Sequence, residues 1–255
     1  MSRKQLIIYI FSALLVFIGF VMARFPANTA LAIVSKQSGM VISDRVSGTV
    51  WQGRAENLYL RTDDDFLPLG VTHWDISFWP MLTGRLVGNI NAVSGSQKIS
   101  GHFTAGINSL RLRDMELAVD INQLLQFYPV PIRAEGFVEL MLPEFAFDGR
   151  EINALDGSIL VRDLEVNFTH PVKLGSFAAR LGMEDNAVQA SISDIDATVA
   201  VEGTASLVLT ERHYSVDINM KPGAGADQAI TQTLRTFTRE QADGSYQFQQ
   251  NQQRF

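Results

Sequence analysis

The chain has 255 residues, no cysteine and a formal net charge of −6. The missing thiols exclude disulfide frameworks, thiolate nucleophiles and cysteine-ligated metals. The acidic balance, with no run of three basic residues anywhere, argues against nucleic acid, because a phosphate-binding surface needs clustered Lys and Arg.

The N-terminus carries the strongest signal. Leu6 to Met22 is an uninterrupted apolar run, with Arg3 and Lys4 before it and Arg24 behind. As a helix it spans ~26 Å, close to the hydrocarbon thickness of a bilayer. Inside lipid only a helix satisfies every backbone donor and acceptor of such a segment. The run is apolar on all faces, which sets it apart from a helix lying on a core. Positive charge is concentrated before the run, and nothing charged follows Arg24 until Lys36. That bias predicts an N-terminus inside and a domain outside. A cleaved signal peptide is the rival reading. The nearest small-x-small site, Ala30-Leu31-Ala32, lies well past the apolar end, so we expect an uncleaved anchor. All three charges of the first 24 residues are basic, which leaves the rest of the chain at −9. Such a domain is not built to adhere electrostatically to anionic lipid.

After the anchor, Pro26 suits a kink or first turn. Asn28 to Gln37 is expected to continue as a short helix that Ser38-Gly39 ends. From Val41 onward the dominant period is two. It shows in Leu58-Tyr59-Leu60, in Trp74 to Phe78 and more loosely in Phe137 to Leu142. Alternation of this kind predicts half-buried antiparallel strands. Glycines fall between the runs, at Gly48, Gly53, Gly84, Gly95, Gly106 and Gly149 among others, and predict turns and bulges. Two further helices are expected. Asp120 to Phe127 offers an N-cap Asp with Gln123 three residues on, a capping-box pattern. Ala226 to Gln241, starting at Asp227, places Ile230, Leu234 and Phe237 on one face.

Leu112-Arg113-Asp114-Met115-Glu116-Leu117 is echoed by Val161-Arg162-Asp163-Leu164-Glu165-Val166. Val216-Asp217-Ile218 repeats the ending Val119-Asp120-Ile121. In the first two copies the alternation slips by one residue at Arg-Asp, so the strand must bulge or turn there. The echo is either a coincidence in a β-rich chain or the mark of a sheet built by repeating a unit. The expected organisation is a cytoplasmic stub and transmembrane anchor (1–24), a linker (25–40) and one β-rich domain (41–255). Pro129-Val130-Pro131 is the candidate joint within that domain, and 251–255 a frayed tail.

No constellation in the chain supplies a reaction. His73, His102, His170 and His213 lack metal-ligand spacing. Val93-Ser94-Gly95-Ser96 lacks the first glycine of a nucleophile elbow. Gly223-Ala224-Gly225 reads as a linker, because no GK[ST] follows. Asp63-Asp64-Asp65 lacks the spaced oxygen ligands of a calcium loop and reads as a solvated turn. Asp194 and Asp196, two apart, share a strand face and read as an exposed acidic surface. No catalytic, cofactor or metal site is expected. The aromatics stand out more. Trp51, Trp74 and Trp79 either pack a core or line an apolar groove for a lipid or partner helix.

The order of these elements resembles a known family. An N-terminal anchor is followed by Ala-Arg-Phe-Pro-Ala (23–27), then Gly48-Thr49-Val50-Trp51-Gln52-Gly53-Arg54-Ala55. Next come Trp74, five residues, Pro80, three residues and Gly84-Arg85-Leu86, then Val216 to Pro222 and Gly244 to Phe248. This is similar to the type II secretion system protein N family along essentially the whole chain, departing at the polar tail Gln249 to Phe255. The resemblance implies a bitopic inner-membrane protein with a periplasmic β-rich domain, accessory to the apparatus that exports folded proteins across the outer membrane. It implies no catalytic residues and no cofactor. It further implies a fold like that of AsmA-type proteins: a long curved antiparallel sheet with few short helices. Partners would be other components of the secretion system and the inner membrane, through residues 6–22. Lipid is the alternative, if the sheet has an apolar groove.

Overall fold

The computed structural model describes residues 3–39, 41–61, 66–125, 133–167, 171–209, 213–226 and 228–253, with side chains for all of these except 3–8, 15, 18, 37, 38, 228, 229, 237, 252 and 253. The chain divides into two compact units, Met1–Ser94 and Gly95–Phe255.

The first unit opens with helix α1 (Arg3–Ala23). Among the described residues no helix is long and apolar enough to cross a membrane. Several of the apolar side chains of α1, Leu15 and Ile18 among them, lie outside that description. Helix α2 (Ala27–Ser38) starts where Pro26, at φ −68°, serves as N-cap, and ends at Gly39 in the left-handed region at φ 64°. Both ends fall where proline and glycine geometry put them. Strands β1 (Val41–Ile42), β2 (Arg45–Gly48), β3 (Gln52–Arg61), β4 (Phe66–Ser77) and β5 (Leu86–Ser94) follow, all paired antiparallel. β1 and β2 share one edge of β3, at its two ends. The alternation around Trp74 suggests a strand running through Phe78, but β4 stops at Ser77 and a short helix α3 (Phe78–Met81) connects it to β5. Pro80 has no N–H to give a ladder, so the strand cannot continue there.

The second unit is a meander of β6 (Gln97–Ala105), β7 (Leu110–Asp120), β8 (Arg133–Phe147), β9 (Ile152–Asn167), β10 (Pro171–Glu184), β11 (Ala187–Ala197), β12 (Val199–Val208) and β13 (His213–Pro222), each paired antiparallel with the next. β15 (Tyr246–Gln253) pairs with β13 and with the short β14 (Arg239–Glu240). Helix α4 (Ile121–Leu125) leaves β7, and helix α5 (Gln228–Phe237) lies between β13 and β14. The capping box expected at Asp120 does not form. Asp120 belongs to β7, and Gln123 Oε1 is buried with no hydrogen-bond partner. α5 is shorter than expected, because Arg239 and Glu240 leave it to pair with β15. Two of the three residues of its expected apolar face, Ile230 and Leu234, pack as expected, and the Phe237 side chain lies outside the described residues. Ile230 is 4 % exposed and joins Val172 and Val199 in a core that Leu174, Val201, Met220 and Leu234 border. Asp63–Asp65, Phe127, Pro129–Pro131, His170 and Asp227 lie outside the described residues.

The predicted slips at Arg-Asp are real bulges. Asp114 and Asp163 both have φ 50°. Arg113 to Glu116 lies opposite the shorter step from His102 to Ser100, and Arg162 to Glu165 opposite that from Phe137 to Glu135. In each case the facing strand has a glycine at the middle of the step. A Cβ on Gly101 would stand 2.8 Å from Met115 Cα, and one on Gly136 3.3 Å from Leu164 Cα. The extra residue pushes its backbone toward the neighbour, and only glycine leaves room. Asp tolerates the left-handed conformation better than most residues. The two copies are therefore one device, used on alternate strands. The third echo does not share it, since Val216 to Ile218 pairs without a shift on both sides.

Candidate functional site

The glycine-flanked tryptophan element lies where the helical N-terminus meets the first sheet. It is a connection between strands. Trp51 lies in the loop from β2 to β3, just outside the strand segment expected for it. Thr49 N–H donates to Gln52 O at 2.8 Å, and Gln52 N–H to Thr49 Oγ1 at 3.1 Å, closing the loop. Two hydrogen bonds and one bridge pairing tie it to the end of α1 and the connection to α2. Trp51 Nε1 donates to Met22 O at 2.8 Å. Val50 N–H donates to Phe25 O at 3.0 Å, and Pro26 bridges to Thr49. Met22 O, one of the last carbonyls of α1, also accepts Phe25 N–H at 3.2 Å, so the indole is a second donor to a carbonyl that has no partner within the helix. Ala27, the first residue of α2, is 2 % exposed at this joint.

The loop is held equally from the sheet side. Ile76 N–H donates to Trp51 O at 2.6 Å, and Trp74 Nε1 to Val50 O at 3.0 Å. Gln52 Nε2 donates to Asp75 Oδ2 at 2.9 Å. The Trp51 ring meets Phe78 edge-on, with centroids 4.9 Å apart. The two glycines are required by this crowding. Gly53 faces the Trp74 indole so closely that a Cβ would stand 2.5 Å from Cε2 and 2.9 Å from Thr49 O. Gly48 has φ 87°, and a Cβ there would stand 3.0 Å from Gly53 Cα. Trp51 and Trp74 thus fix the junction between the helices and the sheet. Trp79 does neither that nor core packing, being 76 % exposed.

The second unit presents a different surface. Its strand register places Ile99, Leu117, Leu140, Ile159, Ala179 and Ile192 side by side in one row, which Ile218 and Phe248 extend beyond Gly203. All are half-buried, so no second layer seals them. α5 covers only the end of this face, around Val199, Val201 and Met220. The neighbouring row on the opposite face is mostly polar: Glu116, Ser158, Arg180, Ser191 and Asp217. There the side-chain amides of Gln249 and Gln247 hold the Asp217 carboxyl below its ordinary range.

The residues weighed for chemistry are scattered. His73 lies exposed in β4 opposite Arg54. His102 lies exposed in β6, 3.9 Å from Asp114. His213 starts β13, its Nδ1 buried without a partner. Ser94 ends β5, and Gly95, at φ 63°, is a turn residue. Gly223 to Gly225 turns between β13 and α5, with Gly223 N–H donating to Thr198 O. The shared face of Asp194 and Asp196 is broken by a bulge, for Asp194 pairs with Phe177 and Asp196 with Ser176, leaving Ile195 unmatched. Asp194 Oδ1 instead accepts Val201 N–H at 2.8 Å, extending the ladder to β12 where its backbone pairing ends. Among the described residues no group of three His, Asp or Glu could hold a metal ion. The geometry missed in the sequence is the clamp of Trp51 on Met22, a contact between residues far apart in the chain.

No solved structure matches the chain. Three curated relatives, each called type II secretion system protein N, do. The Vibrio cholerae protein is 23 % identical over 239 residues, covering 91 % of this chain and 92 % of that protein. The Pectobacterium carotovorum protein is 26 % identical over 199 residues, covering 76 % and 77 %. The Aeromonas hydrophila protein is 23 % identical over 241 residues, covering 92 % of each. The family model for type II secretion system protein N matches residues 40–249, from the start of the strands to the point where the polar tail begins. That match spans most of the chain, and the chain belongs to the type II secretion system protein N family.

Proposed function

We propose that this protein is an accessory inner-membrane component of the type II secretion system, which exports folded periplasmic proteins across the outer membrane, and that it works by protein–protein contact without catalysis. The observation that carries this is the family match over residues 40–249. In this reading α1 spans the inner membrane once, with its short N-terminus in the cytoplasm and the β-rich remainder in the periplasm. The apolar run Leu6–Met22 and the positive charge before it support that topology. The junction at Trp51 supports it as well, since it fastens the end of the helix rigidly to the sheet.

Affinity purification from detergent-solubilised membranes, followed by mass spectrometry of protein and lipid, tests the proposal. Other components of the secretion system should copurify. Recovery of the protein with lipid alone would overturn the contact reading. That outcome would favour a second one, an envelope protein of the AsmA type that binds or transfers lipid. The half-buried row from Leu117 to Phe248 supports this alternative, because an apolar sheet face with little cover is the surface an acyl chain fits. A reporter active only in the periplasm, fused after Phe255, should be active; activity of a cytoplasmic reporter there would overturn the topology.

A further inference from the structure

The tip of the β4–β5 connection is unlike the rest of the first unit. Trp79 is 76 % exposed, Leu82 65 %, Met81 43 % and Leu86 38 %. Large apolar side chains scattered singly over a surface need no explanation, but four within eight positions on one turn form a patch. The turn itself is well made. Leu82 N–H donates to Trp79 O, and both Thr83 N–H and Arg85 N–H donate to Pro80 O. The exposure is therefore that of an ordered structure.

The position of this patch is fixed by rings. Met22 O, in the last turn of α1, accepts from Trp51 Nε1. Trp51 meets Phe78 at 4.9 Å between centroids, and Phe78 meets Trp79 at 5.7 Å, both edge-on. An unbroken aromatic line thus runs from the end of the apolar run to the exposed Trp79. The local charge fits as well. The chain is acidic overall, yet no Asp or Glu lies between Asp75 and Asp114, and Arg85 is the charged residue of the tip. Asp75, at its base, is engaged by Gln52.

We propose that the tip formed by Trp79, Met81, Leu82 and Leu86 docks into the interfacial layer of the same membrane that α1 spans, on the side of the folded domain. The inference rests on the reading of α1 as a membrane helix. Tryptophan favours the headgroup level, where its ring is in an apolar environment and its N–H in a wet one. Arg85 faces anionic lipid headgroups there. With α1 and the tip both held by the bilayer, the first sheet has two attachments and a fixed orientation to the membrane.

The chain has no cysteine, so one introduced cysteine labels one site. Trp79→Cys, Tyr9→Cys and Val93→Cys are each made in the full chain and labelled with an environment-sensitive fluorophore. Each is reconstituted into vesicles of phosphatidylethanolamine and phosphatidylglycerol, with and without lipids carrying a nitroxide near the headgroup or along the chain. Tyr9 lies in the apolar run and is exposed on α1, so it reports the anchor. Val93 lies at the far end of β5 from the tip, ~23 Å along the strand from Leu86. The label at 79 should lose most of its emission to the shallow nitroxide, the label at 9, ~4.5 Å inside the start of the apolar run, should be quenched from within the bilayer, and the label at 93 should be unaffected. Quenching at 9 without quenching at 79 would overturn the proposal and leave the anchor standing. A blue-shifted but unquenched label at 79 would also overturn it, and would identify the tip as a protein-binding face. Equal quenching at 79 and 93 would overturn the assignment to the tip. No quenching at 9 would remove the membrane helix and the proposal with it.

Discussion

Replacing Gly53 by alanine should destabilise the first unit by about 3 kcal/mol, the upper part of the usual range for overpacking. The added Cβ has nowhere to go. On one side stands the Trp74 indole and on the other Thr49 O. The indole cannot yield freely, because its Nε1 is bonded to Val50 O, and the same loop is pinned by Trp51 to Met22 O. All three tryptophans of the chain lie in the first unit. Intrinsic fluorescence of the detergent-solubilised protein therefore reports this unit, and its melting midpoint should fall by about 12–24 °C. Trp51→Ala should act in the same direction, since it removes both the bond to Met22 O and the ring against Phe78. Truncating a fully buried Trp costs ~3–5 kcal/mol; Trp51 is only half-buried, and a smaller loss is expected. Gly19→Ala, in α1 of the same unit, is the control. A Cβ there meets nothing within 4 Å, and the midpoint should not move.

A charge on the apolar row of the second unit should have a comparable effect, and one residue along the same strand it should have almost none. Leu140 and Met141 are neighbours in β8 and point to opposite faces. Leu140 stands between Leu117 and Ile159, while Met141 stands between Glu116 and Ser158 and is 51 % exposed. Leu140→Lys puts an ammonium into the apolar row and should cost about 3 kcal/mol, read as a lower denaturant midpoint by circular dichroism. Met141→Lys places the same group beside the Glu116 carboxylate, where an exposed pair is worth at most ~1 kcal/mol, and stability should be unchanged within that margin. If the two variants behave alike, the two faces are not distinguished as the register implies.

Much of this fold is legible from local chemistry. Pro26 and Gly39 bound α2, because each fixes a backbone conformation by itself. The bulges at Asp114 and Asp163 are visible as slips of a two-residue period, since a strand cannot change phase without an extra residue. Ile230 and Leu234 mark the buried face of α5 by their spacing. The failures are of two kinds. At Phe78 the apolar alternation from Trp74 reads as strand, but the strand ends at Ser77, ahead of Pro80 with its missing N–H. At Asp120 the capping-box pattern is present, but pairing with β8 holds that residue in the ladder. The glycine-flanked tryptophan element stands out in the sequence as unusual, yet its work does not. Trp51 bonds to Met22 across the whole of α2 and the first strands, and only the fold brings them together. The same holds for Asp194 and Asp196, whose expected shared face vanishes at a bulge that Ile195 does not announce.

The most direct test of the account is export itself. Deleting the gene for this chain from its own bacterium should leave the substrates of the type II secretion system in the periplasm while they decline in the medium. The wild-type chain should restore export. So should variants in which His73, His102, His170, His213, Asp194 or Asp196 is replaced singly, provided each accumulates to normal levels, because none of these is assigned chemistry. Unchanged export on deletion, with a leakier outer membrane in its place, would contradict the account and favour the lipid reading.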